Sequence, residues 1–366
     1  MERFAFILHP LRYQDFARKS RLLRCIPGVV LEHGCKHLKP WCVSHIRGLQ
    51  SITGTQAEGW FIVVPLTPRM ILQSKRSFVI DRIVHACELA EQLGAGIVGL
   101  GAFLKIASGH GTEVAKRVGI PVTTGNSYTA ASAIEGTIKA ALRMGIEPKR
   151  ARAVVIGATG NIGSVCSRLL SPHVGELTLV ARDVTRLEAL ADSLQNNVRI
   201  ETDVNRAVRG ADMIMTVSSA IDTLIDPDLL KPGAVICDVA RPRNVSEHVY
   251  TKRPDVLVID GGVISVPGEH LDFGLNFGFP PKTAEACIAE TMMLALERRY
   301  ECFTLGDHID VHQVQTIHGL AHKHGFQIAG FRRFEKAISE QELEQIRRRA
   351  GRPEPLFAGE VAISIV

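Results

Sequence analysis

The feature that most constrains this chain is a short glycine-bearing run, Gly157-Ala158-Thr159-Gly160-Asn161-Ile162-Gly163, set directly behind Ala153-Val154-Val155-Ile156. An apolar, β-branched run stopped by glycine reads as a strand, and the NIGSVCSRLL that follows reads as a helix. Each glycine has its own task in such a turn. Gly157 allows the sharp exit from the strand, Gly160 lets backbone approach a pyrophosphate, and Gly163 lets helix and strand pack closely. The first amides of the helix then face the phosphates, and the helix dipole favours the anion. Gly157, Thr159, Gly160, Asn161, Ile162 and Gly163 are therefore the candidate dinucleotide-binding residues. A strand–turn–helix of this kind belongs to a parallel sheet covered by helices.

The rest of the chain repeats that alternation. ELTLVA (176–181), VRIET (198–202), DMIMTVS (212–218), AVICDVA (234–240) and DVLVIDGG (255–262) continue the series begun at ARAVVIG (151–157), with helices between most of them. Six strands in this order predict a doubly wound sheet with right-handed connections. An earlier series, FAFIL, WFIVVPL (60–66), GIVGLGAF (96–103) and IPVTTG (120–125), is interleaved with helices at 81–94 and 110–119 and predicts a second sheet. A long helix at 127–145 connects the two. The expected fold class is α/β: a Rossmann-type doubly wound parallel sheet, a second α/β domain built from the N-terminal region, and a helical C-terminal region. The expected divisions are 1–130 for the substrate domain, 131–268 for the dinucleotide domain and 269–366 for the C-terminal region.

The end of the second strand of the dinucleotide series selects the cofactor. An acidic side chain there suits a ribose 2′-hydroxyl and a basic one suits a 2′-phosphate. The chain reads LTLVARDVTR, with Arg182 first and Arg186 after it, which favours NADPH; Asp183 is the competing acidic residue. Val217, Ser218 and Ser219 close the fourth strand, and Ser218 is the candidate for backbone contact with the cofactor.

Composition removes several alternatives. No run approaches the roughly 20 apolar residues of a membrane-spanning helix. The N-terminal apolar stretch, with Glu2 before it, is too short for a signal peptide, so the expected location is cytoplasmic. Eight cysteines without CxxC pairs suggest neither a disulfide framework nor a zinc ribbon. His318, His322 and His324 lack acidic or sulfur companions in sequence, and no metal site is expected. The net charge of +5 sits in clusters at Arg21/Arg24, Lys36/Lys39, Lys149/Arg150/Arg152, Arg332/Arg333 and Arg347/Arg348/Arg349, which read as solvated faces or as a surface for an acidic partner. Aromatic residues are only 5% of the chain and do not interleave with the basic ones, so nucleic-acid binding is not expected.

One further stretch carries chemistry. PPKTAEACIAETMMLALE (280–297) reads as a helix entered through two prolines. At roughly 100° per residue, Cys287 lies about 125° from the centre of the apolar stripe, on a mixed face with Glu290, Thr291 and Leu294. With Thr283 as N-cap, the cysteine is the fourth helical residue, at the edge of the dipole's reach, and Lys282 adds charge nearby. The residue is then either a small buried hydrophobe or a nucleophile.

Four stretches together resemble a known family. Thr124-Gly125-Asn126-Ser127-Tyr128-Thr129-Ala130, Gly157 to Ser164, Ala286 to Leu294 with Cys287 second, and His324-Gly325-Phe326-Gln327 are similar, in order and spacing, to motifs of the cyanobacterial long-chain acyl-[acyl-carrier-protein] reductases. The likeness spans roughly residues 1–330; residues 23–58, the segment between Gly262 and Pro281, and the tail after about 332 depart from it. The resemblance implies NADPH-dependent reduction of a fatty acyl thioester, on acyl carrier protein or CoA, to an aldehyde through an acyl adduct on Cys287. Asn126 and Ser127 are then candidate donors to the developing oxyanion, or else caps of the helix that starts near 127. The competing readings are an NADP-dependent dehydrogenase of a small alcohol, hydroxy acid or amino acid, and a nucleotide-sensing protein without turnover. Lys105 and His270 are candidate proton donors outside the expected site.

Overall fold

In a computed structural model the described residues are 1–10, 34–195, 197–218, 225–240, 243–276, 278–334 and 336–356. Arg21, Arg24 and Ser219 lie outside them. Contacts divide the chain into two units. The first comprises Met1–Asn126, Ser265–His308 and Gly319–Gln327; the second comprises Ser127–Ile264, Ile309–His318 and Ile328–Val366. The stretch 269–366, expected as one C-terminal region, is shared between them.

The first unit is built on a five-stranded sheet in the order β2-β3-β1-β4-β5. Its strands are β1 (Glu2–Leu8), β2 (Trp41–Gln50), β3 (Gln56–Val63), β4 (Val98–Leu100) and β5 (Val122–Thr123). All neighbours are parallel except β2, which forms an antiparallel hairpin with β3. Strand β1 is buried on both alternating faces, as a sheet covered on two sides requires. Ala5 and Ile7 join the core beneath α2 (Arg76–Gln92), with α1 (Pro68–Gln73), α3 (Ala102–Ala107) and α4 (Thr112–Ala115) near by. The helix expected at 110–119 is a single turn, because left-handed Gly109 and Gly111 confine its start. Strand β2 was not expected: it is half-exposed, and shifts of register between Cys42 and Ser44 and between Ile46 and Leu49 break its alternation.

The second unit carries a six-stranded sheet in the order β11-β10-β9-β6-β7-β8, parallel throughout. The strands are β6 (Arg152–Ile156), β7 (Glu176–Val180), β8 (Val198–Glu201), β9 (Met213–Thr216), β10 (Val235–Asp238) and β11 (Leu257–Asp260). Counted along the chain this is the 3-2-1-4-5-6 arrangement of a doubly wound dinucleotide-binding sheet. Its helices are α5 (Asn126–Arg143), α6 (Asn161–Leu170), α7 (Val184–Asp192), α8 (Val204–Ala207) and α9 (Glu247–Lys252). The α/β class with a helix-rich C-terminal part is as the sequence predicts.

After β12 (Val263–Ser265) and β13 (Thr283–Glu285) comes α10 (Ala286–Leu296), followed by α11 (Val311–His324) and α12 (Glu340–Arg349). Helix α10 packs on β1, β3 and β4 and is buried along its whole length. Its close approach depends on Gly99, where a methyl group would overlap the Thr291 hydroxyl and the Phe6 ring. No helix among the described residues is long and apolar enough to cross a membrane.

Candidate active site

The glycine turn follows β6. Gly157 has φ +87° and lies so close to the backbone of Val217 and Ser218 that a methyl group would press on both. Gly163 is tighter: a methyl there would overlap the Gly157 carbonyl, which is the contact that lets α6 lie against the turn. Gly160 is the N-cap of α6, so no side chain caps the first turn and its amides suit an anionic ligand. At the end of β7 the two rival groups separate. Asp183 caps α7, its Oδ1 accepting from the Arg186 amide at 3.1 Å, while Arg182 is exposed. Arg186 donates to the Thr159 carbonyl at 2.7 Å and so braces the glycine turn. The residues present fit a dinucleotide with a basic group at its ribose end.

The thiol belongs to the first unit, and three remote segments meet there. Helix α10 begins at Ala286 with Glu285 as N-cap, so Cys287 is its second residue. Thr283 is in β13, and its hydroxyl donates to the Pro280 carbonyl at 2.7 Å. The expected helix from Pro280, with Thr283 as cap, is thus corrected: the dipole end lies closer to the sulfur than the sequence suggests. The wheel-based asymmetry is corrected too, since every residue of α10 is buried. The second segment is the turn after β5. Gly125 has φ +72°, and a methyl group there would overlap Cα, Cβ and the carbonyl of Cys287. The third is α3, whose Lys105 Nζ donates to Asn126 Oδ1 at 2.6 Å.

A buried polar lattice holds the first two segments together. Glu290 Oε1 accepts from the hydroxyls of Thr123 at 2.6 Å and Thr304 at 2.8 Å. Both the amide and the hydroxyl of Thr124 donate to the Thr304 carbonyl at 3.0 Å. The strand end that carries Gly125 is thereby fixed to the helix that carries Cys287.

Cys287 is 7% exposed. Burial above all, then the Glu285 charge and more weakly Glu290, push its thiol up to about 12, against the Lys105 ammonium and the Ile288 N–H. Its Sγ lies 3.8 Å from Glu285 Oε2. Burial also pushes up the thiols of Cys87 and Cys166, but no cation acts on either. The cation that favours the Cys287 thiolate is Lys105, which as an isolated lysine in the sequence gives no local signal; Lys282, expected to add charge nearby, is exposed. Glu285 was likewise missed, although it stands two positions before the cysteine. Asn126 and Ser127 are the first two residues of α5 and both are buried, so neither is the residue that precedes the helix. Asn126 comes together with Lys105, whereas Ser127 begins the second unit. His270 is exposed.

Other charged groups are spent locally. His318 pairs with Glu135 at 3.3 Å, and His324 bonds Ser51 at 2.8 Å and Glu297 at 2.7 Å. Among the described residues no group of three or more His, Cys, Asp or Glu could hold a metal ion. Five members of the basic clusters are ion-paired: Arg150 with Glu147, Arg152 with Glu176, Arg347 with Glu354, Arg348 with Glu344 and Arg333 with Glu342.

Comparison with known proteins adds to this geometry. Residues 139–260 match the shikimate/quinate 5-dehydrogenase family. The chain is 30% identical over 311 residues to the aminotransferase PigE of a Serratia species, covering 82% of this chain and 36% of that relative's length. It is 30% identical over 295 residues to the long-chain acyl-[acyl-carrier-protein] reductase of Synechococcus elongatus, covering 76% of this chain and 84% of the reductase. Glutamyl-tRNA reductase of Acaryochloris marina matches over 107 residues at 29% identity, covering 27% of this chain and 25% of that enzyme. The relatives are reductases and dehydrogenases in the main, and the second unit has the nicotinamide-dinucleotide fold of such oxidoreductases.

Proposed function

Since the chain belongs to the family of the long-chain acyl-[acyl-carrier-protein] reductases, we propose that it reduces a long-chain fatty acyl thioester to a fatty aldehyde through an acyl adduct on Cys287. The carrier is acyl carrier protein or CoA, the reductant is NADPH, and the location is cytoplasmic. One observation above all supports this reading: Cys287 stands at the second position of a helix, with the Gly125 backbone pressed against it and with Lys105, Asn126 and Glu285 grouped around it.

In this reading the Cys287 sulfur attacks the thioester carbonyl and the carrier's thiol departs. A thiol suits both halves of such a reaction, because it is nucleophilic as the thiolate and leaves readily from a tetrahedral carbon. Negative charge gathers on the carbonyl oxygen as the bond forms. Asn126 and Ser127 are the proposed donors to it, and with Asn126 Oδ1 facing the ammonium of Lys105 the donating side of that amide is Nδ2. When bound, the nicotinamide supplies the hydride. Gly157, Thr159, Gly160, Asn161, Ile162, Gly163 and Ser218 are the proposed cradle for its dinucleotide, and the Arg182 guanidinium is the proposed partner of the 2′-phosphate.

The matches to the shikimate dehydrogenase family and to glutamyl-tRNA reductase leave the competing small-substrate dehydrogenase to experiment. Intact-mass measurement after mixing the protein with acyl-carrier thioester, without NADPH, separates the two. The proposal expects one acyl mass added, mapped to Cys287. A folded protein that gains no acyl mass, yet oxidises or reduces a small alcohol with NADP(H), would overturn it.

A further inference from the structure

We infer that Glu285 is the catalytic base that takes the proton from Cys287 during acyl transfer, with Lys105 as a positioning residue that holds Asn126. This inference rests on the acyl-transfer reading and adds to it the route of the proton.

The geometry comes from the junction between β13 and α10. Glu285 is the last residue of the strand and the N-cap of the helix, with extended backbone at φ −69° and ψ 147°. It makes no capping bond with its own side chain, and its carboxylate reaches the sulfur two residues on, at 3.8 Å. Glu285 is partly exposed and Cys287 only 7% exposed, so the carboxylate exchanges a proton with water more readily than the thiol does.

The charged groups that act on the sulfur are Glu285, Glu290 and Lys105. With the thiol pushed up to about 12, free thiolate at neutral pH is on the order of one part in 10⁵. A nucleophile so rarely ionised needs its proton removed as the new bond forms. As a fixed charge, Glu285 makes ionisation harder; as an acceptor in contact with Sγ, it makes it possible. Glu290 is spent on two threonine hydroxyls, leaving Glu285 as the carboxylate in contact with the sulfur.

The step balances without a further reagent. The S–H proton passes to Glu285 as sulfur bonds to the carbonyl carbon and the π pair moves to oxygen. The tetrahedral carbon then re-forms its carbonyl and breaks its bond to the carrier sulfur. That sulfur takes the proton from Glu285, which returns to the carboxylate. Because an ammonium only donates, the Asn126 atom facing Lys105 is oxygen, and the amide is held with Nδ2 directed away from it.

The test is the rate at which Cys287 gains acyl mass from acyl-carrier thioester in the full chain without NADPH, from about pH 6 to pH 10. For Glu285→Gln we expect a loss of about 10²-fold near neutrality, shrinking as pH rises and hydroxide replaces the base. Glu285→Asp keeps the charge with a shorter reach and should fall between. For Glu285→Ala, added acetate should restore part of the rate while leaving the wild type unchanged, an effect that a purely structural role does not produce. If Glu285→Gln acylates as fast as wild type, or faster as the removal of a neighbouring negative charge alone dictates, Glu285 is not the base. If the wild type itself gains no acyl mass, the acyl-transfer reading fails and this inference falls with it.

Discussion

The glycine turn of the second unit and the thiol site of the first are assembled in opposite ways. The turn is contiguous: Gly157 to Gly163 follow one another, and the groups that shape it are mostly their own backbone. The thiol site is gathered from α3, the turn after β5 and the start of α10, and none of these segments carries it alone. A contiguous site depends on backbone shape and tolerates no added atoms within it. A gathered site depends on packing between remote elements, so its chemistry is exposed to changes far away in sequence. Both nonetheless use a glycine where another backbone presses close, Gly163 against Gly157 and Gly125 against Cys287.

The largest expected effect tests whether the gathered site holds the nucleophile. Cys287→Ser should lower acyl-adduct formation by at least roughly 10³-fold while NADPH affinity, measured by fluorescence titration, stays as in wild type. An unchanged yield of aldehyde would remove the thiol from the mechanism. The next pair sets the two glycines against each other. Gly125→Ala places a side chain at φ +72° over Cys287, at about 1–3 kcal/mol for the backbone alone. It should lower the thermal midpoint and abolish acylation with little change in NADPH binding. Gly163→Ala should weaken NADPH at least about tenfold while Cys287 acylates normally. Crossed effects would break the contrast drawn above.

A smaller effect is expected at the ribose end. Arg182→Ser should shift the preference for NADPH over NADH by roughly ten- to a hundredfold, the worth of about 1.5–3 kcal/mol of charge-assisted hydrogen bonding. Equal loss for both cofactors would give Arg182 another role. The smallest concerns the thiol's own titration. Because burial holds Cys287 up at about 12, its alkylation by iodoacetamide should climb about tenfold per pH unit through the neutral and mildly alkaline range. Lys105→Met removes the cation that favours the thiolate, so the rate at any fixed pH should fall a few-fold, in the same direction across the range. Peptide mapping is needed to read this, because Cys42 and Cys302 are exposed and react as well.

The basic clusters offer a similar lesson about distance along the chain. Read as a list they suggest a face for an acidic carrier, but α12 is an acidic-to-basic helix whose Arg348 meets its own Glu344, and Arg333 is drawn to Glu342 and stacks over Tyr250. Exposed pairs of this kind contribute little to stability, about 0–1 kcal/mol each. Their effect on steering is larger, since a paired guanidinium presents less field to a partner.

Local chemistry was enough to specify the succession of six strands in the second unit, the glycine turn and the basic residue after β7, because each depends on neighbours within a few positions. The start of α10 was misplaced by two residues for the same reason in reverse: Pro280 and Pro281 look like a helix entry, yet β13 takes Thr283–Glu285 and moves the cap from Thr283 to Glu285. Strand β2 was obscured by register shifts, and left-handed glycines cut the helix expected at 110–119 to Thr112–Ala115. The amino-acid order alone thus determined an α/β chain with a dinucleotide turn and singled out Cys287. Only the tertiary structure decided that the Lys105 charge acts on that sulfur and that the Gly125 backbone packs against Cys287, because burial and through-space charge act between atoms that the linear chain keeps far apart.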